Sequence, residues 1–235
     1  MSGAWDPWVV CVIELDDVRV RLGQREVLCG VTAALPERRV GVIGANGSGK
    51  STLARLLNGL VLPTSGTVTV LGDDTRRHAA RIRRRVGFLF TDPDAQIVMP
   101  TVAEDVAFSL RRRKLPREEV ERRVADVLER YGLAGHADHP AHQLSGGQKQ
   151  LLALCSVLVL EPEILVMDEP TTLLDLRHSR LVADVLRELP QQVVVISHDL
   201  ALLADFDRLL VMDEGRIVAD AVPQAAISHY RKLMS

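Results

Sequence analysis

Arg39-Val40-Gly41-Val42-Ile43-Gly44-Ala45-Asn46-Gly47-Ser48-Gly49-Lys50-Ser51-Thr52-Leu53-Ala54-Arg55-Leu56-Leu57 decides how this chain folds. Its first five residues read as a short buried strand, and Thr52 to Leu57 has helical spacing. Between them lies G-x-x-x-x-G-K-[ST], in the strand-to-helix turn that this phosphate-cradling pattern requires. Gly44, Gly47 and Gly49 let backbone N–H groups close around phosphate oxygens with no Cβ in the way. The helix N-terminus that follows adds partial positive charge. Lys50 supplies a cation for β- and γ-phosphates, and the Ser51 hydroxyl is placed to coordinate Mg²⁺. Ala45, Asn46, Ser48 and Thr52 complete the set of nucleotide-binding positions in this turn. The expected cofactors are ATP and Mg²⁺.

Working outward, Ile164-Leu165-Val166-Met167 is an apolar run fit for a strand buried on both faces. Asp168 then emerges at its carboxyl end, the edge where open α/β sheets bind ligands. Asp168 is read as a second Mg²⁺ ligand, direct or through water. Glu169, one residue on, is placed to act on the attacking water as general base or orienting group. Gln191 to Ser197 reads as another buried strand, with His198 at its end and an amphipathic helix expected from Asp199. At that edge an imidazole can contact the γ-phosphate.

Leu144-Ser145-Gly146-Gly147-Gln148 precedes a run of helix formers from Lys149 to Leu160, so Ser145 reads as a helix cap. That makes a second phosphate-binding helix N-terminus. The chain already has a cradle for its own nucleotide. Ser145, Gly146, Gly147 and Gln148 are therefore read as gripping the nucleotide of a partner subunit, two subunits closing head to tail over two ATP molecules.

This set, Gly44–Thr52, Leu144–Gln148, Ile164–Pro170, Leu174-Asp175 and His198, resembles the nucleotide-binding domain of ABC ATPases over 13–218. The resemblance makes Lys50 and Ser51 the Walker A pair, Asp168 the Walker B carboxylate and Glu169 the catalytic carboxylate. Ser145 to Gln148 become the signature, Asp175 the D-loop and His198 the switch histidine. Catalytic roles then fall to Glu169, His198 and Lys50. The implied fold class is α/β: a P-loop NTPase core with an N-terminal antiparallel β part and an inserted helical subdomain. The core is expected over 1–90 and 161–235, and the helical signature subdomain over 91–160.

The segment from Val86 through Thr91-Asp92-Pro93-Asp94-Ala95-Gln96 to Phe108 is similar to ATPases of energy-coupling factor (ECF) importers, most of all those for biotin. Thr91 stands where most ABC ATPases carry a lid glutamine, so that glutamine is either missing or replaced by Gln96. No aromatic stands near Leu22, so adenine is expected on aliphatic surface there. The resemblance further implies a homodimer or heterodimer with a second ABC ATPase, a membrane-embedded coupling subunit and a substrate-binding membrane subunit. Asp92, Asp94, Glu104 and Asp105 are read as an acidic rim for a cytoplasmic helix of the membrane subunit, or else as caps of a helix starting near Val102. Competing readings are a cobalt, nickel or other ABC transporter ATPase, an exporter ATPase, and a soluble clamp or remodeller.

At 235 residues and net charge −2 the chain is large enough for a real core and unsuited to wholesale nucleic-acid binding. Cys11, Cys29 and Cys155 are dispersed without metal spacing, as in a reducing cytosol. No stretch reaches the roughly twenty apolar residues that span a bilayer. The start, Trp5-Asp6-Pro7-Trp8 included, lacks the basic region of a signal peptide. The expected location is the cytoplasmic face of the membrane, held there by partners. Alternation in Val12–Leu15 and Val18–Leu22 suggests antiparallel strands, with a turn at Gly23. Val120, Val124, Val127 and Leu128 share one helix face after Leu115-Pro116. His136, His139 and His142 read as surface histidines rather than metal ligands. The basic runs around Arg76–Arg85 and Arg111–Arg117 read as solvated helix faces or as contacts to anionic headgroups.

Overall fold

The computed structural model describes residues 12–172 and 174–235. Trp5 to Trp8 and Cys11 therefore lie outside the described residues. In chain order the elements are β1 (Ile13–Leu22), β2 (Arg25–Leu35), β3 (Arg39–Gly44), α1 (Lys50–Leu57), β4 (Ser65–Val70), β5 (Asp73–Asp74), α2 (Thr75–Ile82), β6 (Val86–Leu89), α3 (Val102–Leu110), α4 (Arg117–Arg130), α5 (Gly146–Leu158), β7 (Ile164–Asp168), α6 (Leu176–Glu188), β8 (Gln192–Ile196), β9 (Arg208–Asp213), β10 (Arg216–Ala221) and α7 (Pro223–Leu233). They divide into two compact units, one of residues 1–86 and 192–235, the other of residues 87–191.

In the first unit, β2-β1-β4-β5 form an antiparallel sheet. The alternating pattern of the first strands belongs to one strand, not two. β1 runs unbroken from Ile13 to Leu22 with a bulge at Asp17, whose φ is 40°. That bulge shifts the register and produces the interruption in the alternation. The turn at Gly23 joins β1 to β2. The second sheet of this unit places β3 between β8 and β9, parallel to both, with β10 antiparallel at the edge. β3 is buried at every residue, as a central parallel strand must be. Arg208 fixes the edge: it bonds Ala34 O, Glu37 and Asp220, and the bond to Asp220 raises its pKa above the ordinary guanidinium range.

No helix follows His198. Asp199 instead accepts the Ala201 and Leu202 amides, and residues 200–205 form turns. The Asp side chain substitutes for the hydrogen bonds that a helix start would have made. The strands β9 and β10 that come next were not anticipated from the sequence.

In the second unit α5 is the central helix, buried from Gln150 to Leu158. α3 and α4 pack with it. α4 buries Val124, Val127 and Leu128, while Val120 of the same stripe is half-buried. β7 is fully buried. Among the described residues no helix is long and apolar enough to cross a membrane.

Candidate functional site

The phosphate cradle grows from the end of β3. Gly44 passes so close to β9 that an added Cβ would fall 2.1 Å from Met212 O. Gly47 and Gly49 take φ of 79° and 100°, a region costly for residues with a Cβ. α1 then starts at Lys50, and no side chain caps it. Its first-turn amides, with those of the glycine turn, make a concave set of donors. Lys50 is 8% exposed, and its Nζ donates to Gly44 O and Ala45 O, both at 2.8 Å. The Ser48 hydroxyl is buried and has no hydrogen-bond partner among the described residues. A buried ammonium, a buried unmatched hydroxyl and an uncapped helix start fit a polyanionic ligand. Ser51 and Thr52 occupy the first turn of α1. The same unit carries His198 directly after the buried Ser197, and Leu22, half-exposed at the end of β1.

In the second unit, Asp168 closes β7 at 3% exposure. Thr91 donates its hydroxyl to Asp168 O at 2.9 Å. Glu169 takes φ 54°, uncommon for a residue with a side chain, and its carboxylate accepts from Thr172 Oγ1 at 3.1 Å. Strain of this kind concentrates where a side chain must be aimed. Gln96 engages both ends of its amide inside this unit, accepting from Phe90 N and donating to Ala153 O.

Ser145 caps α5 in a reciprocal box: its hydroxyl accepts Gln148 N, and Gln148 Oε1 accepts Ser145 N at 2.9 Å. Gly146 and Gly147 form the first turn. His178, a residue that the sequence patterns do not single out, supports this turn. The ring of His178 covers Gly147, and Asp175 holds that ring through Nδ1 at 2.9 Å while capping α6. The His178 amide and ring together hold the Asp175 carboxyl below the usual carboxylate range. The signal available for His178 was its place three residues after an N-cap aspartate.

Asp105 takes a different place from the exposed rim expected of it. With Val102, Val106 and Leu110 it lies on the buried face of α3, at 3% exposure. Its carboxylate accepts Val98 N, Met99 N and the Ser156 hydroxyl. The acidic rim expected from the sequence does not form. Asp105 is inside, and Glu104 completes the capping box of Thr101. Asp92 and Asp94 stay exposed, Asp92 accepting Asp94 N and Asp94 paired with Lys149. The groove near Gln96 is instead lined by the exposed Val98 and Phe108 with Arg111, Arg112 and Lys114. Asp105 also lines it but is buried and already bonded, so the exposed charges there are basic.

Of the three histidines before Ser145, His136 and His139 meet ring to ring, whereas His142 stands exposed. Among the described residues no group of three or more His, Cys, Asp or Glu could hold a metal ion.

Comparison with known proteins agrees with this geometry. The ABC transporter family profile matches residues 32–172. A protein of Deinococcus radiodurans, provisionally named an ABC transporter ATP-binding protein, is 55% identical over 224 residues, covering 95% of this chain and 99% of its own length. The biotin transport ATP-binding protein BioM of Rhizobium etli is 48% identical over 221 residues, 94% of this chain and 98% of the relative. The solved structure of cbiO1 from Clostridium perfringens, part of the ABC transporter complex cbiONQ, superposes with a TM-score of 0.82 at 30% identity, over 95% of this chain and 93% of that one. The chain belongs to the ABC transporter family, and it is an ATPase of that family.

Proposed function

We propose that this ATPase powers an ECF-type importer for a vitamin, with biotin as the favoured substrate. The observation that carries the substrate class is the near full-length similarity to the R. etli biotin transport protein. In this reading the chain pairs with itself or with a second ABC ATPase. The pair sits at the cytoplasmic face of the membrane beneath a coupling subunit and a substrate-binding subunit. The basic groove around Phe108 would receive a cytoplasmic helix of the coupling subunit.

Each residue then has a task. Backbone donors from Gly44 to Gly49 hold the phosphates, with Ala45 and Asn46 shaping the turn. Lys50 exchanges its two carbonyl partners for β- and γ-phosphate oxygens. Ser51 and Asp168 would hold Mg²⁺. Bound there, Mg²⁺ supplies charge neutralisation on the phosphate oxygens. Glu169 orients the attacking water and takes its proton, and His198 contacts the γ-phosphate. Leu22 lies against adenine. Ser145 to Gln148 close over the partner's γ-phosphate, and Gln96 relays lid position to α5 through Ala153.

The test combines three variants. Glu169→Gln should bind ATP within about twofold of wild type yet lose about 10²–10⁴-fold in turnover, trapping a closed dimer. Lys50→Ala should lose binding itself. Ser145→Arg in the Glu169→Gln background should bind ATP as a monomer and fail to pair. Wild-type turnover by Glu169→Gln would remove the assigned base, and pairing by the double variant would remove the clamp. Biotin uptake that survives deletion of this chain's gene would remove the substrate assignment.

A further inference from the structure

His136 and His139 stand just ahead of the Ser145–Gln148 turn, in the same compact unit. Their rings meet edge on with Nδ1 2.8 Å from Nδ1, and His136 Nε2 lies 3.0 Å from Gln148 Nε2. The far end of Gln148 decides where the protons are. Its Oε1 accepts the Ser145 amide, so its nitrogen faces His136, and an amide nitrogen only donates. His136 Nε2 must then be bare, and its proton is on Nδ1. That Nδ1–H donates to His139 Nδ1, whose own proton is on Nε2. This pattern of donors and acceptors holds each imidazole in one tautomer.

An added proton has no acceptor in this chain of bonds. On His136 Nε2 it would face the Gln148 NH₂ group, and on His139 Nδ1 it would face another N–H. Gln148 relieves the first conflict only by turning its oxygen to the imidazolium. Its NH₂ group then faces Ser145 N–H, and the capping box opens. Charged neighbours do not compensate. Asp138 and His142 are exposed, Glu104 is held by Thr101, and Lys149 is paired with Asp94. Residues of the α3 start reach His139 and Ala137 only through backbone bonds from Val102 and Ala103. Among the described residues no carboxylate pairs with either ring.

We infer that His136, backed by His139, is a positioning residue for the Ser145–Gln148 turn, and that protonating this pair weakens ATP-driven pairing of the subunits. The link to pairing rests on the reading of that turn as the clamp on the partner's nucleotide. The geometry alone dictates the tautomers.

Two measurements test it. Long-range ¹H–¹⁵N correlation on the labelled full chain at pH 8 should show the Nδ1–H tautomer at His136 and Nε2–H at His139. Nε2–H at His136 overturns the relay, whatever the turn grips. The second compares dimerisation with ATP for Glu169→Gln protein with and without His136→Gln, whose Oε1 replaces Nε2 as acceptor and does not titrate. Taking the ratio cancels other titrating groups. From pH 8 to 5.5 it should shift about five- to tenfold in favour of His136→Gln, the worth of an opened cap. His136→Leu should pair about fivefold more weakly already at pH 8. A pH-independent ratio overturns the proposal. If Ser145→Arg still pairs, the clamp reading falls and the link to pairing with it, while the relay stands on the tautomers.

Discussion

The imidazole of His178 occupies the space that a side chain at Gly147 would need: an added Cβ there falls 2.3 Å from His178 Cγ. The contact joins the Ser145–Gln148 turn to the helix that Asp175 caps. Gly147→Ala must therefore displace the ring and strain its bond to Asp175. We expect a loss of about 1–3 kcal/mol in unfolding free energy, the range for overpacking. Adding His178→Ala removes the obstacle and should restore most of that loss, a coupling that denaturant melts of the four proteins in the cycle would measure. If the two substitutions simply add, the ring does not cover Gly147.

Asp105 is a second internal tie, between the loop at Val98-Met99 and Ser156 of α5. Asp105→Ala leaves two amides and one hydroxyl without their charged acceptor in a buried place. About 2–4 kcal/mol should be lost, since hydrogen bonds to a charged group contribute roughly 1.5–3 kcal/mol each before compensation by water. Asp105→Asn keeps one carbonyl for the amides and should cost less. Equal melts for the Ala and Asn variants would show that the shape of the side chain, not its acceptors, holds the loop.

The difference between what was readable and what was not follows the range of the interactions. The cradle from Gly44 to Thr52 and the strand before Asp168 are local: their chemistry is written in consecutive residues, and their strands are buried on both faces. The bulge at Asp17 hid in the alternation it interrupts. The turn after His198 is hidden because Asp199, whose side chain caps two amides, looks in sequence like an ordinary helix start. Asp105 looked like a rim charge, although its position on the apolar stripe of Val102, Val106 and Leu110 was a signal for burial. His178 on Gly147, and His136 on Gln148, are contacts between segments that no periodicity announces.

Cys155 offers a pH test. Burial pushes its thiol up to about 12, and the sulfur lies 3.9 Å from Val127 O. A thiol titrating near 9 when unfolded and near 12 when folded makes the unfolded chain release its proton first. Stability is then intact below pH 9 and falls through the window from 9 to 12, by about 1.4 kcal/mol per pH unit for this one group. Cys155→Ala should flatten that part of the slope. Iodoacetamide at pH 8 should likewise leave Cys155 unmodified in the folded protein while modifying the partly exposed Cys29. Alkylation of Cys155 at a rate equal to that of Cys29 would contradict its burial.

The groove around Val98 and Phe108 carries Arg111, Arg112 and Lys114, so a partner segment seated there needs acidic or carbonyl groups to meet them. Arg111→Glu with Arg112→Glu should reduce recovery of the membrane complex about tenfold or more, since like charges would then oppose across the contact. ATPase activity of the isolated subunit should stay within about twofold, because surface substitutions away from a site change little. Asp92→Asn with Asp94→Asn gives the contrasting case. Asp94 already neutralises Lys149, and an amide at 92 can still accept the 94 amide, so recovery should change by less than about twofold. Pull-down of each variant with its membrane subunits would separate the basic groove from the acidic pair. A complex lost on the Asn pair and kept on the Glu pair would assign the contact to the acidic side after all.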